Sequence, residues 1–370
     1  MRSNAGFSLI ELMIASAIGL LLLSGLSMIF VNTSEANREL QKSAQQIENG
    51  RYAIEVISSD LRLAGFYGHL HDMISIAKPG AMPDPCEATA AATLLSAFWY
   101  PVQGYAGTIH ATTPASDAAP SLAAAPKCTL LDAATLKPGS DVLVIRRADT
   151  NALAATDTAT TNVFYVQASA TNAEVQLGNG AVIAQNKASG GASALFLSNG
   201  ASPAPAAPIR RLHVRVYFVA PCSIGLGASG KCNGSASEDK IPTLKRLELT
   251  SSGTFTIVPL VEGIEYLKVE YGIDDAPAAV NLATQLSGDA TVDRFETAPS
   301  TAEWESVIAA KIYVLARNTE PTRGYSDTKR YVLGSLATTV PTPARNDEYK
   351  RHVYGAASYL ANPAGRREIP

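Results

Sequence analysis

A glutamate lies inside a long apolar segment near the start of this 370-residue chain. From Leu12 to Val31 no side chain is charged, which is enough length to cross a bilayer as a helix. Glu11 adjoins this stretch and follows Phe7 by four residues. A charged side chain at membrane depth costs about 2.5–3.5 kcal/mol on insertion scales, so such residues are as a rule functional. Glu11 is therefore a candidate functional residue.

Four cysteines form an even set: Cys86, Cys128, Cys222 and Cys232. Three connectivities are possible, and proximity along the chain favours Cys86 with Cys128 and Cys222 with Cys232. In an exported protein two disulfides are expected, and on the chain-entropy model they would stabilise the fold by about 4 and about 3 kcal/mol. Buried free thiols are the alternative. There is no CxxC pattern and the histidines are scattered, so a zinc site is not expected.

Four aspartates fall in one segment between predicted strands: Asp274, Asp275, Asp289 and Asp293. Calcium takes about six to eight oxygen ligands, which a compact acidic loop can supply. The spacing is not that of an EF-hand, because the required glycine is missing. The segment is expected to be a solvated loop, with a calcium site as the alternative.

Two further motifs have an apparent chemistry. The segment "GLGASGK", residues 225–231, resembles a phosphate-binding loop, but Cys232 stands where that loop needs Ser or Thr, and no helical pattern follows. A flexible loop between two cysteines is expected instead. His69 and His71 could ligate a metal together with Asp72, but we expect them to decorate the turn that ends a long helix.

Charge and motif content exclude several classes of function. Charged residues make up only 17% of the chain, the net charge is −3, and no basic run occurs, so contact with nucleic acid is not expected. No coherent Ser-His-Asp grouping or hydrolase-like pair of carboxylates is present, so neither catalysis nor a cofactor is expected.

A long N-terminal helix must position these residues. No proline interrupts the chain before Pro79, and the pattern predicts a helix over 7–65, with a membrane-spanning first part over 7–31. Gly65 and Gly68 are plausible stop signals. The second half of the helix carries an apolar stripe, which predicts packing on a head domain or, alternatively, a coiled-coil seam. The stripe comprises Leu40, Ala44, Ile47, Ile54, Ile57 and Leu61.

The remainder, 66–370, is predicted to be a strand-rich head. Residues 74–140 are rich in Ala, Pro and Thr and indicate loops, within which Phe98, Trp99 and Tyr100 form either a binding patch or a local core.

From residue 141 onward, runs of β-branched and aromatic residues predict strands, and "SNGASPAPAAP" at 198–208 indicates a linker. "RLHVRVYFV" alternates, with one face made of Leu212, Val214, Val216 and Phe218 and the other of His213, Arg215 and Tyr217.

The N-terminal segment "GFSLIELMIA" resembles the type IV prepilin signature at Gly6, Phe7 and Glu11. The resemblance implies a leader over 1–6, cleavage between Gly6 and Phe7 by prepilin peptidase, and N-methylation of Phe7. The new amine would lie one helical turn from the Glu11 carboxylate. Because an unpaired charge in hydrocarbon is heavily penalised, such a pair would set the axial register between subunits of a fibre.

Four further blocks resemble PilW-like minor pilins of the type IV pilus: "DVLVIRRA", "LVEGIEYLKVEYGID", "WESVIAAKIYVLARN" and "EYKRHVYGAASYLANP". The span lacks the proline that kinks many major pilins, and no cysteine follows Cys232. Both departures favour a minor subunit. The resemblance implies a pilin-like α+β fold, in which a long N-terminal helix packs on a β-strand-rich head.

The same resemblance implies a scaffolding role in a complex at the pilus tip, supporting twitching motility, adhesion or DNA uptake. The implied partners are other minor pilins, the tip adhesin, the major pilin, prepilin peptidase and the inner membrane. The helix would cross that membrane once with a cytoplasmic N-terminus and a periplasmic head, before the chain reaches the pilus. The alternatives are a minor pseudopilin of a type II secretion system and a membrane-tethered enzyme or lectin with a prepilin-type leader.

Overall fold

One helix dominates the N-terminal part of the chain. Helix α1 spans Leu9–Arg62, 54 residues or about 81 Å, close to the predicted range of 7–65. It ends where Gly65 adopts φ +73°, a conformation that favours glycine. The computed structural model describes residues 8–73, 75–122, 128–154, 157–180, 206–227, 230–275 and 288–367.

The larger sheet of the head has seven strands, and all of its pairings are antiparallel. Its strands are β1 (Val102–Tyr105), β2 (Val142–Ala148), β3 (Phe164–Ala168), β4 (Ala173–Leu177), β5 (Ile209–Ala220), β6 (Thr243–Ser251) and β7 (Thr254–Glu262). The order is β1-β2-β5-β3-β4, and β6 pairs with both β5 and β7. The long strand β5 is therefore the centre of this sheet.

The second sheet has four antiparallel strands in the order β11-β10-β8-β9. They are β8 (Ile264–Ile273), β9 (Arg294–Glu296), β10 (Val307–Arg317) and β11 (Arg351–Tyr359). Two short helices complete the described elements, α2 (Ala91–Ser96) and α3 (Ala361–Arg367). The expected α+β architecture, a long helix on a strand-rich head, is confirmed.

Strand β5 separates the two main cores. Its predicted apolar face, which includes Leu212 and Phe218, is buried in a cluster that also contains Phe98 and the four cysteines. Its other face contributes Tyr217 and Val219 to a cluster with α1, β8 and β10. The larger sheet is therefore covered on both faces at the end of β5, which explains why every residue from Val216 to Ala220 is buried.

The side of α1 that faces the head differs from the predicted stripe. Ile57 and Leu61 are fully buried, but Leu40 is 69% exposed and Ile47 is 47% exposed. Hydrophobicity alone predicts the stripe, whereas the head contacts the middle of α1, around Glu39 and Gln46, largely through polar side chains. The buried residues of α1 are Gln46, Gly50, Ala53, Ile57, Ser58, Asp60 and Leu61.

The segment 74–140 contains long loops, as expected, together with α2 and β1. Phe98 and Tyr100 are each only 1% exposed, and the Tyr67 ring stacks on Phe98 with centroids 3.7 Å apart. The local-core interpretation of these aromatic residues is therefore confirmed. Most of the predicted linker at 198–208 lies outside the described residues.

Candidate functional site: the anchoring helix and its attachment to the head

The first turn of α1 places the Glu11 carboxylate beside the N-terminal backbone amides. Ser8 is the N-cap residue, and its amide donates a hydrogen bond to Oε2 of Glu11 over 3.0 Å. A glutamate at the third helical position that reaches back to the N-cap amide is half of a capping box, and it complements the positive end of the helix dipole. The carboxylate thus points toward the chain's N-terminal end. Gly6 and Phe7, the predicted cleavage site, lie outside the described residues.

Ser8 was not predicted to have a role of its own. The pattern Ser-x-x-Glu before an apolar run is a recognised capping signal and could have identified it. In this structure Glu11 therefore serves its own helix, in addition to the pairing with Phe7 that the sequence predicts.

The first half of α1 exposes apolar surface on every side. Large side chains from Leu9 to Val31 are each more than half exposed. Within the described residues, α1 is the one helix that is long and apolar enough to cross a membrane, and its most apolar window has no buried residue. Such a surface requires lipid or other apolar helices around it.

Polar contacts join the middle of α1 to the head. Glu39 accepts a hydrogen bond from Lys350 Nζ over 2.8 Å and another from Thr322 Oγ1 over 2.9 Å. The Lys350 hydrogen bond is the main cause that lowers the pKa of Glu39 to about 2. Two turns further along α1, the buried amide of Gln46 donates to the carbonyls of Ala316 and Lys350 over 2.8 and 2.9 Å. The helix is therefore attached to the ends of β10 and β11.

A glycine permits the next contact. The ring of Tyr354 lies against Gly50, where an added Cβ would come within 2.2 Å of it. A larger residue at this position would force α1 away from β11, so the close approach of helix and strand depends on Gly50.

Asp60, in the last turn of α1, forms the most buried of these attachments. It is 3% exposed and accepts hydrogen bonds from Arg147 Nε over 3.0 Å and from Arg215 Nη1 over 2.6 and 2.8 Å. The hydroxyl of Tyr217 donates to its second oxygen. Burial alone would raise the pKa of Asp60, but the hydrogen bonds and charge of Arg215 and the other two donors outweigh it and lower that pKa.

This arrangement ties three elements together. Arg147 comes from β2 and Arg215 and Tyr217 from β5, so a single helical carboxylate is bound to the centre of the seven-stranded sheet. A buried carboxylate held by two guanidinium groups fixes both the rotation and the height of the helix, because a shift of one residue would break the contacts of Asp60 with all three of these side chains. Sequence reasoning placed Arg215 and Tyr217 on one strand face, but it did not identify Asp60.

His213 lies next to this network, and we expect it to make the head sensitive to acid. Burial is the main cause that lowers the pKa of His213 from 6.5 to about 4, and the nearby charges of Arg215 and Arg147 add to it, against the opposing hydrogen bond to Asp149. The unfolded chain therefore binds a proton near pH 6.5 that the folded chain takes up only near pH 4. We expect the free energy of unfolding to fall by about 3 kcal/mol as the pH drops through this window.

Denaturant titrations of the full chain in detergent at several pH values would measure that fall. The His213→Gln variant is expected to lose most of the dependence between pH 6.5 and 4. A variant with the same slope as the wild-type chain would contradict the assignment to His213.

The structure contains both disulfides that proximity along the chain favours. Cys86 pairs with Cys128 and Cys222 with Cys232, and there is no free cysteine. All four side chains lie in the core cluster beneath the loop-rich segment. The first disulfide joins two parts of the loop-rich segment, and the second closes a loop in the connection between β5 and β6, so no thiol is left over for metal ligation or nucleophilic chemistry.

The four aspartates proposed as calcium ligands have protein partners. Asp274 is buried and contacts Nε of Arg367 at 3.0 Å, and Asp275 pairs with Arg294. Asp293 accepts the Asp275 amide over 2.7 Å, and Asp289 accepts the amide of Thr291 over 2.9 Å. The acidic segment is thus held largely by arginines and backbone amides. The calcium site stays the alternative to the expected solvated loop, although Asp274 itself is buried.

The other motifs fit the simpler interpretations. His69 and His71 are exposed in the turn that follows α1, as expected. The described residues after the glycine-rich loop, 231–242, contain no helix.

One cluster was not predicted from the sequence at all. Arg351 on β11 is buried and contacts Glu265 at 2.5 Å, Asp327 at 2.9 Å and Asp347 at 2.6 Å. Asp327 belongs to the coil that links β10 to β11. The cluster therefore fixes this coil onto the outer face of the smaller sheet. Because three of these four residues are far apart in the chain, no local pattern could have indicated their meeting.

Comparisons with known proteins give separate matches for the N-terminal segment and for the second part of the head. Residues 222–362 match the family model of the type IV pilus-assembly protein W, and residues 1–27 match that of the prokaryotic N-terminal methylation motif. No curated protein sequence matches the chain significantly. Among solved structures the chain is similar to a type IV-like pilin from Thermus thermophilus, at 16% identity over 40% of this chain and 78% of that one. With a TM-score of 0.22, that likeness is too loose to carry an argument.

Proposed function

We infer that this chain, which is a PilW-like type IV minor pilin, acts as a scaffolding subunit that joins other minor pilins at the pilus tip and primes assembly. The pilin role follows from the two family matches. The position at the tip, the contact with a tip adhesin and the major pilin, and the support of twitching, adhesion or DNA uptake are our proposals.

One observation supports the scaffolding role above the others. The first half of α1 presents apolar surface on all sides, while its second half is attached to the head by Glu39, Gln46 and Asp60. A helix attached in this way transmits its position in a bundle directly to the head. The chain can therefore place a head at a defined height among neighbouring subunits without any catalytic step.

Processing and location follow from the same proposal. Prepilin peptidase would cut between Gly6 and Phe7 and leave a methylated Phe7 amine. The helix would first hold the chain in the inner membrane, with the head on the periplasmic side, and would then enter the pilus.

Mass spectrometry of sheared pili tests this function. In a null strain complemented with the wild-type chain, we expect the pilus fraction to contain the chain with N-methylated Phe7 as its first residue. The Gly6→Leu variant is expected to keep residues 1–6 and to stay in the membrane fraction, because prepilin peptidase needs a small residue before the cleaved bond.

Two results would contradict the proposal. The first is an intact Met1 terminus on wild-type chain recovered from sheared pili. The second is a null strain with normal pili but defective protein secretion, which would instead identify a pseudopilin of a type II secretion system.

A further inference from the structure

Strand β11 is an edge strand with a free side. Among the described residues it pairs with β10 alone, in a continuous register of nine residue pairs from Arg351 to Tyr359, without a bulge. The amide of Leu360 donates to the carbonyl of Ile308. Because hydrogen-bonded and non-bonded pairs alternate in an antiparallel ladder, the backbone groups of every second residue in β11 point away from β10. The outward set includes Val353, Gly355 and Ala357.

This edge lacks the usual protection against pairing. Edge strands are normally short, bulged, or interrupted by proline or lysine. Between His352 and Tyr359 there is no charged residue and no proline, and four small residues follow Tyr354 in the order Gly-Ala-Ala-Ser. In the described part of the chain, the other edges are short or interrupted, since β9 has three residues, β1 has four, β4 has five, and β7 contains Pro259 and register shifts.

A groove runs beside the free edge, between α1 and β11. It has a volume of about 1140 Å³ and is lined on the helix side by Ile47, Tyr52 and Ile54 and on the strand side by Tyr354 and Gly355. Ile47 and Tyr52 are about half exposed, at 47% and 53%. The hydroxyl of Tyr354 is buried without a hydrogen-bond partner among the described residues. The groove can therefore receive the side chains of a strand added to β11.

The direction of β11 excludes a second copy of the chain as the occupant. Gln46 contacts the carbonyl of Lys350, Gly50 contacts Tyr354, and Ala64 accepts a hydrogen bond from Asn362. Strand β11 therefore runs parallel to α1, away from the membrane. Two copies anchored in one membrane, or in one fibre, have parallel β11 strands and cannot form the antiparallel pair that a two-fold dimer requires.

Charge indicates the polarity of the occupant. The membrane-proximal end of the groove adjoins a pocket of about 570 Å³, whose lining includes Arg51 and Lys329 and no carboxylate. Lys350 and Arg351 also line this pocket, but their charges are balanced by Glu39 and by Glu265, Asp327 and Asp347, so we attribute its positive charge to Arg51 and Lys329. Glu48 and Glu55 line the upper part instead. An antiparallel strand with an acidic C-terminal end would place that end in the basic pocket.

We propose that the free edge of β11 binds an extended segment of a different polypeptide, as an added antiparallel strand with alternating apolar residues and an acidic C-terminal end. Main-chain hydrogen bonds supply the affinity in this mode, and the groove and basic pocket supply the selectivity. The exclusion of a second copy depends on the membrane anchoring stated under the proposed function, whereas the free edge and the groove do not.

Amide exchange of the full chain in detergent tests the proposal with a synthetic probe. The probe is a nine-residue peptide of alternating valine and threonine, with lysine at its N-terminus and two aspartates at its C-terminus. We expect it to slow exchange of the Gly355 and Ala357 amides at least tenfold, and to leave the Tyr354 and Ala356 amides, already bonded to β10, unchanged. The same peptide N-methylated at its edge-facing amides is the control probe and should have no effect.

Variants of Ala357 separate the edge from the fold. Ala357→Pro removes one outward amide without removing a bond to β10, and Ala357→Lys places a charge on the edge. Both should weaken peptide binding at least tenfold, whereas Ala357→Ser, which keeps the amide, should bind like the wild-type chain. The lysine variant keeps the test valid if the proline variant does not fold.

Three results would overturn the proposal. They are unchanged exchange at the highest soluble peptide concentration, equal binding by the lysine and serine variants, and wild-type self-association in sedimentation that Ala357→Lys abolishes. The assay needs no fibre, so an absence of peptide binding would not contradict the proposed scaffolding role. Conversely, peptide binding to β11 can still be measured if the scaffolding role proves wrong.

Discussion

Replacement of Glu11 by valine is expected to remove the chain from pili while leaving its membrane insertion and leader cleavage intact. In the proposed fibre the carboxylate meets a Phe7 amine, and valine would leave that amine without a partner among apolar helices. Breaking a buried charge pair on one side costs about 3–5 kcal/mol, which lowers incorporation a hundredfold or more. Quantitative immunoblots of sheared pili and membrane fractions from a complemented null strain would measure both quantities.

Matched variants separate the charge of Glu11 from its capping role. Glu11→Gln carries no charge, but it keeps an oxygen that can accept the hydrogen bond from the Ser8 amide, which spans 3.0 Å in the wild-type chain. We expect it to be excluded from pili nearly as strongly as the valine variant, whereas Ser8→Ala should have only a small effect. Wild-type levels of the glutamine variant in pili would show that capping, and not the charge pair, is what assembly requires.

Replacement of Asp60 by alanine is expected to lower the free energy of unfolding by about 3–5 kcal/mol. The change leaves the guanidinium groups of Arg147 and Arg215 and the hydroxyl of Tyr217 in a buried site without their common acceptor. The destabilisation should be accompanied by faster amide exchange in the last turns of α1, because this end of the helix loses its attachment to the sheet. Denaturant unfolding and amide exchange of the full chain would measure the two effects.

Glu55 provides the control for this experiment, because it is an exposed acid five residues earlier on the same helix. Glu55→Ala should change stability by no more than about 0.5 kcal/mol. Asp60→Asn keeps the shape of the side chain but only one of its two acceptor oxygens. Its loss of stability should therefore fall between those of Glu55→Ala and Asp60→Ala. If alanine at position 60 cost no more than alanine at position 55, the Asp60 network would not be what holds the helix on the head.

Short-range features of this protein were predictable. The apolar run, the absence of proline and Gly65 placed the long helix within a few residues of its bounds at Leu9 and Arg62. Alternation along β5 predicted an apolar face, and proximity along the chain favoured the two disulfides that the structure contains. Each of these depends on propensity, periodicity or loop length, which a short stretch of residues carries by itself.

The orientation of α1 on the head was not predictable in this way. Hydrophobicity alone pointed to the side with Leu40 and Ile47, but these side chains are exposed, and polar side chains such as Gln46 and Asp60 face the head. A buried polar residue resembles a surface residue until its partners are known, and Arg215 lies 155 positions away from Asp60.

The sequence by itself thus determined that the chain has a helix long and apolar enough to cross a membrane and an N-terminus that matches the prokaryotic methylation motif, because a linear motif and an apolar run are complete in consecutive residues. Only the tertiary structure decided how that helix is held, through Asp60 and Glu39, and which strand edge stays open, at β11. Both depend on residues that are distant in the chain and come together only when α1 packs against the two sheets.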